Sequence, residues 1–100
     1  MPKRHIYQFE WDPIKAKKNL RDHGVPFERA ATVFLDEAAL SVYDDDHSEN
    51  EDRWITIGID GIGILLVVNH TYQAESEKNT LIRLFSARKA TKKEINSYRR

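Results

Sequence analysis

The sequence contains no cysteine. That excludes a disulfide framework and any thiolate metal site, and it fits a reducing compartment, so a cytoplasmic location is expected. No apolar run is long enough to span a bilayer, and no membrane partner is expected. Lys3, Arg4 and His5 have no apolar stretch behind them, which is not the pattern of a secretory leader. Without a leader, Asn69-His70-Thr71 is read as a chance glycosylation sequon. Glycine and proline are scarce, at 4 and 3 residues, and form no linker. Repeats and low-complexity segments are missing as well. There is no P-loop, no G-x-G-x-x-G and no H-x-x-x-H pair. Asp44-Asp45-Asp46-His47 invites a calcium reading. An EF-hand loop starting there would need Gly at its sixth position and Glu at its twelfth, and it finds Glu49 and Ile55. No metal or cofactor is therefore expected; the alternative is a Mg²⁺ nuclease built on the acidic run.

What is present suits one folded domain over residues 1–100, with 40% hydrophobic and 32% charged residues. The formal net charge of zero hides an asymmetry. Asp36, Glu37, Asp44, Asp45, Asp46, Glu49, Glu51 and Asp52 form a run without Lys or Arg. From Arg83 onward, Arg83, Arg88, Lys89, Lys92, Lys93, Arg99 and Arg100 face only Glu94. A milder basic cluster is Lys15, Lys17, Lys18 and Arg21. Each run is either a solvated face or a docking surface.

Tyr7 to Trp11 predicts a first strand with Tyr7, Phe9 and Trp11 on one side. Asp12 and Pro13 predict a helix start, because Asp caps free amides and proline has no N–H to leave unpaired. Gly24 is a stop after about His23. Pro26 opens a second helix, whose apolar face is Phe27, Ala30, Ala31 and Phe34. The period then changes to strands: Ala39 to Tyr43, Ile55 to Ile59, Ile62 to Val68 in a central position, and Leu81 to Ala87. Asp60-Gly61 reads as a two-residue hairpin turn, and Glu75 to Asn79 as a polar turn. In the last strand, strict alternation sets Ile82, Leu84 and Ser86 opposite Leu81, Arg83 and Phe85. Thr91-Lys92-Lys93-Glu94 is a capping box opening a C-terminal helix with only Ile95 and Tyr98 as apolar anchors. The fold class is α+β, with helices on an antiparallel meander.

Three groups of residues could carry chemistry. His47 and Glu51 near a strand start could exchange protons, with Arg53 holding a phosphate in its planar fork. The alternative is a polar loop in which His47 caps and Arg53 pairs with Glu51. Arg83, in an apolar strand, needs a function or an ion pair. Arg88 and Lys89 precede a helix start, where an anion is favoured, or are plain surface charge. Trp11 and Lys15 could hold a base and its phosphate, while Phe34 belongs to the core stripe.

Phe9-Glu10-Trp11-Asp12-Pro13, Lys15, Ala16, Asn19-Leu20, His23-Gly24-Val25, Phe27-Glu28, Ala30, Val33-Phe34 and Asp36 resemble the BrnT family of type II toxins. So do His47-Ser48, Glu51, Arg53-Trp54, Ile57-Gly58, Arg83, Ser86-Ala87-Arg88-Lys89-Ala90-Thr91, Glu94 and Tyr98. The likeness spans residues 9–98 in order; only the Tyr72 to Asn79 segment is longer than the family's hairpin. The resemblance implies a RelE-like ribonuclease fold and cleavage of RNA without a metal, by attack of the ribose 2′-hydroxyl on the adjacent phosphate. It also implies a BrnA-like antitoxin that blocks the toxin and represses their operon, so that DNA is met only through that complex. Such cleavage needs a base, an acid and cations around the phosphorane. His47, Glu51, Arg53, Arg83 and Arg88 are the catalytic candidates; Trp11, Lys15 and Lys89 are the substrate-binding ones. Which of His47 and Glu51 is base or acid stays open. A binding module that docks nucleic acid or protein without cutting is the competing function.

Overall fold

A computed structural model describes residues 5–98. The expected basic positions Lys3, Arg4, Arg99 and Arg100 lie outside the described residues. The elements run β1 (Ile6–Glu10), α1 (Pro13–His23), α2 (Phe27–Ala31), β2 (Leu40–Tyr43), β3 (Arg53–Ile59), β4 (Leu65–Thr71), β5 (Gln73–Ala74), β6 (Asn79–Lys89) and α3 (Lys92–Tyr98). Strand order is β1-β6-β4-β3-β2, and the short β5 pairs with β6.

The strands β2, β3, β4 and β6 form the expected antiparallel meander. The expectation of a wholly antiparallel sheet is corrected by β1, which pairs parallel to β6 and makes the sheet mixed. One face of the sheet carries the core. Leu66, Val68, Ile82, Leu84 and Ala87 meet Val25, Phe27, Ala30 and Val33, all fully or almost fully buried. Tyr7 and Phe9 reach Phe34 on that side, and Trp11 meets Phe27 edge-on at 5.8 Å between ring centroids.

Local chemistry accounts for the ends of α1. The Asp12 carboxylate accepts from the Ile14 amide at 2.9 Å, Pro13 takes the first turn, and Gly24 closes the helix at φ 69°. Two other expectations fail for identifiable reasons. The second helix stops at Ala31 and tightens into a 3-10 turn over Thr32–Leu35, where the Thr32 hydroxyl donates back to the Arg29 carbonyl at 2.6 Å. The Asp60-Gly61 turn is instead a loop between Ile59 and Leu65. The Asp60 carboxylate there accepts from the amides of Ile62 and Ile64, both at 2.9 Å, and Gly63, not Gly61, takes positive φ. A carboxylate that gathers two amides favours the wider loop over a tight turn.

β6, at 11 residues, is longer than the 5-residue β1, its neighbour on the outer edge. β1 leaves at Glu10, opposite Arg83, and the edge from Leu84 onward needs another partner. Asn19 of α1 supplies it. Its amide nitrogen donates to the Ala87 carbonyl at 2.9 Å, and its carbonyl accepts from the Ala87 amide at 3.0 Å. The same nitrogen donates to Val25. A buried side-chain amide thus stands in for a strand's peptide.

Between the two halves of β6 the pairing with β4 slips. Asn69 pairs with Ser86 but His70 pairs with Leu84, so Phe85 is an extra residue. This bulge overturns the strict alternation expected of the strand. Ser86 joins the Asn69 side, and Arg88, opposite Val67, comes to the same sheet face as Arg83. Next to the bulge, His70 is fully buried. Its Nδ1–H donates to the Thr71 carbonyl at 3.1 Å, which leaves Nε2 to accept from the Thr56 hydroxyl at 2.6 Å. Burial pushes its pKa down to about 4.

Candidate active site

Where β1 ends and α1 begins, the edge of the sheet opens into a cleft of about 480 Å³ lined by Glu10, Trp11, Asp12, Lys15, Glu51, Arg53, Arg83, Leu84 and Phe85. Four elements and the loop before β3 build it. Glu10 and Arg83 are register partners on β1 and β6. Arg53 begins β3, Glu51 lies in the loop before it, and Lys15 projects from the first turn of α1.

Acid and base alternate across the cleft. Arg83 Nε donates to Glu10 Oε1 at 2.9 Å, while Arg83 Nη1 lies 3.8 Å from Glu51. Glu51 in turn is 3.5 Å from Arg53 Nη2. Arg83 therefore stands between two carboxylates. Arg53 is held by stacking: its guanidinium carbon lies 4.3 Å from the centre of the Phe85 ring. Its Nε is buried without a hydrogen-bond partner. Lys15 Nζ approaches the same ring at 5.2 Å. Cation–ring contacts of this kind fix a guanidinium's plane without using up its donors.

Of the sequence candidates, the structure gathers Trp11, Lys15, Glu51, Arg53 and Arg83 in this cleft. His47 lines the next depression, with Glu51 and Arg53 as its shared wall, and its Nδ1 is 2.9 Å from Asp44. Arg88 lies on the same face but outside the cleft. With Phe85 bulged out, a span of about four strand residues, about 13 Å, separates it from Arg83. Its guanidinium is engaged bidentately by Glu94 at 2.8 and 2.9 Å. Glu94 also accepts from the Thr91 amide while the Thr91 hydroxyl accepts from the Glu94 amide, completing the expected capping box. Arg88 and the Thr91 bonds hold Glu94 down to about 2, and Glu94 raises Arg88. At the other end of α3, the Tyr98 hydroxyl donates to Asp36, which also accepts from the Ile59 amide. That amide, with Tyr98, lowers the Asp36 carboxyl, and the bond to Asp36 raises the Tyr98 hydroxyl. None of the α3 residues is buried, so polar clasps hold the helix. Lys89 is exposed at the end of β6 and lines no part of the cleft.

Two residues of the site were not singled out as chemical candidates in the sequence. Glu10 could be suspected only from its pairing with Arg83, which joins strands 73 residues apart. Phe85 reads as an ordinary strand residue until its ring is seen stacked against Arg53 of another strand. Among the described residues, no three His, Asp or Glu side chains converge to hold a metal ion.

Fold and cleft together define a small α+β protein with guanidinium and carboxylate groups interleaved at an opening in a mixed sheet. A family model described as the ribonuclease toxin BrnT of a type II toxin–antitoxin system matches residues 11–94, and the chain belongs to that family. Among solved structures, it is similar to the crystal structure of the Brucella abortus ribonuclease toxin BrnT, with a TM-score of 0.62 and 19% identity over 87% of this chain and 100% of that one. At that identity the likeness is one of fold. No curated protein matches. No helix among the described residues is long and apolar enough to cross a membrane.

Proposed function

We propose that this chain is a metal-independent endoribonuclease that cuts RNA by 2′-hydroxyl attack in the cleft around Arg83, under the control of a BrnA-like antitoxin. The observation that carries this reading is the position of Arg83 between Glu10 and Glu51, with Arg53 stacked beside them. Both ion pairs of Arg83 are solvent-exposed, and exposed pairs contribute only about 0–1 kcal/mol. A phosphate can therefore take the place of the carboxylates at Arg83 and Arg53. Arginine forks suit phosphate oxygens and the charge that grows on a phosphorane.

Displaced from its guanidinium partners, the Glu51 carboxylate is free to accept the proton of the 2′-hydroxyl. The O2′–P bond forms and the P–O5′ bond breaks. O5′ takes a proton from solvent at the open mouth, leaving a cyclic phosphate and a 5′-hydroxyl. Trp11 and Lys15 hold the base and backbone next to the scissile phosphate. The exposed Lys89, Lys92 and Lys93 give an acidic segment of the antitoxin a surface to approach, and charge complementarity would speed that encounter.

Incubation of the purified protein with RNA in EDTA tests the reading. Cleavage with cyclic-phosphate ends is expected. Cleavage that needs added Mg²⁺ would move the chemistry to a metal, and binding without cleavage at any metal concentration would leave a docking module.

A further inference from the structure

A second depression, of about 230 Å³, continues from the cleft between α1 and the far half of β6. Lys15, Lys18, Asn19, Asp22, His23, Phe85 and Ser86 line it, and Lys15 and Phe85 are shared with the cleft. A strand of RNA whose phosphate sits at Arg83 can therefore run on into it without leaving the surface.

We propose that this depression is a second RNA subsite, which holds the backbone phosphate of a nucleotide flanking the cut on Lys18, with Lys15 between the two phosphates. The proposal rests on the ribonuclease reading above. Its charge supports it. The guanidinium groups of the cleft are matched by carboxylates, whereas among the described residues neither Lys15 nor Lys18 is ion-paired. Asp22, the one acid in the lining, is 3.2 Å from Arg21. Lys15 and Lys18 stand three residues apart on one face of α1, neighbours on the helix surface. Their positive charge is available to a ligand, and that of the cleft's guanidinium groups is available only by exchange.

The floor sets what kind of contact is made. Both polar atoms of Asn19 are engaged with Ala87 and Val25, so its amide has little left to read a base. The wall beside it is the Phe85 ring. Recognition here is of the chain and its charge, not of sequence.

The test compares a dinucleotide, which has only the scissile phosphate, with a longer oligonucleotide. Lys18 is exposed and lies outside the cleft, so Lys18→Ala should cut the dinucleotide at the wild-type rate. On the longer RNA its KM should rise about threefold at unchanged kcat, the weight of one exposed charge contact. The dependence of log KM on log salt should become shallower by about 0.7, as expected for one lost phosphate on a single strand. Lys18→Arg should restore both. Equal behaviour of Lys18→Ala and wild type on the longer RNA would overturn the subsite, as would an equal KM rise on the dinucleotide. If the wild-type protein cuts neither substrate, the ribonuclease reading fails by itself. Fluorescence anisotropy with the longer RNA then decides the subsite: weaker, less salt-dependent binding by Lys18→Ala upholds it, and unchanged binding removes it.

Discussion

The two halves of β6 carry the same residue type on the same face and use it differently. In the first half, β1 holds the edge, and Arg83 makes single contacts at 2.9 and 3.8 Å to two carboxylates on separate segments. In the second half, Asn19 holds the edge, and Arg88 is gripped at both nitrogens by one carboxylate that is itself tied into a capping box. Exposure does not separate them, since the two arginine side chains are 49% and 42% exposed. Partner geometry does. A single contact with a carboxylate on a loop or strand end can be exchanged for a phosphate. A bidentate contact whose partner also caps a helix cannot be exchanged without loosening that helix. The bulge at Phe85 is what allows the two arginines to share a face.

The largest expected effect is on Arg83. Arg83→Ala should slow RNA cleavage by a factor of 100 or more, about 3 kcal/mol of transition-state stabilisation by analogy with loss of an oxyanion donor. Stability should change by less than about 0.5 kcal/mol, since the side chain is exposed. Single-turnover cleavage and urea unfolding on the same preparation check both halves of the statement. A variant that keeps wild-type cleavage would remove the distinction between the two arginines.

Asn19→Ala attacks the support of the second half instead. It leaves the buried carbonyl and amide of Ala87, and the carbonyl of Val25, without partners. At roughly 1–3 kcal/mol for a buried polar group left unpaired, the expected loss is about 3 kcal/mol. Hydrogen exchange at the Ala87 amide should accelerate more than at the Arg83 amide, which donates to the Thr71 hydroxyl and not to Asn19. Equal acceleration at both would mean that the halves unfold as one unit.

The junction between them should respond to acid. The pKa of His70 is about 4 in the folded protein, below its ordinary 6.5. Between those values the unfolded chain binds a proton that the folded chain refuses. Its contribution is complete above about pH 6.5 and is lost as pH falls toward 4, with a total on the order of 3 kcal/mol. Urea midpoints measured from pH 7 to pH 5 should fall for the wild type and stay nearly level for His70→Gln. Parallel slopes would place the acid sensitivity elsewhere.

What the sequence reveals and what it hides follow the range of the interactions. Asp12, Pro13 and Gly24 bound α1, and Thr91 with Glu94 opens α3, because caps act within one turn. Alternation through Ile55, Ile57 and Ile59 marks β3 as a strand but not its buried face, which carries Thr56 and Gly58 while Ile59 is exposed. Nothing local reports that β1 lies beside β6, or that pairing with β4 slips at Phe85. Both depend on partners far along the chain. For the same reason the apolar pattern of β6 hides Glu10 as the partner of Arg83. Asn19 reads as an ordinary surface residue of α1 until the unpaired edge of β6 is seen. His70 is hidden differently, since its ring is accommodated by a threonine hydroxyl and a backbone carbonyl that no short motif announces.

Arg88→Ala gives the smallest expected effect and the sharpest test of the comparison. Cleavage should stay close to wild type, because Arg88 does not line the cleft and its donors are engaged by Glu94. The stability loss should be about 1 kcal/mol at neutral pH, since the pair is partly exposed and screened by solvent. Its pH dependence has a definite sign. Glu94 is held down to about 2 in the folded protein against 4.5 ordinarily, chiefly by its bonds to Arg88. A depressed carboxylate contributes stability above its unfolded pKa and loses it as pH falls through the folded one. The difference between wild type and Arg88→Ala should therefore be constant above about pH 4.5 and shrink between there and 2. Denaturant titrations across that range measure it, alongside helical circular dichroism for α3. If Arg88→Ala instead stops cleavage as completely as Arg83→Ala while the fold stays intact, then the clasp with Glu94 must open during the reaction. The two halves of β6 would then belong to one site.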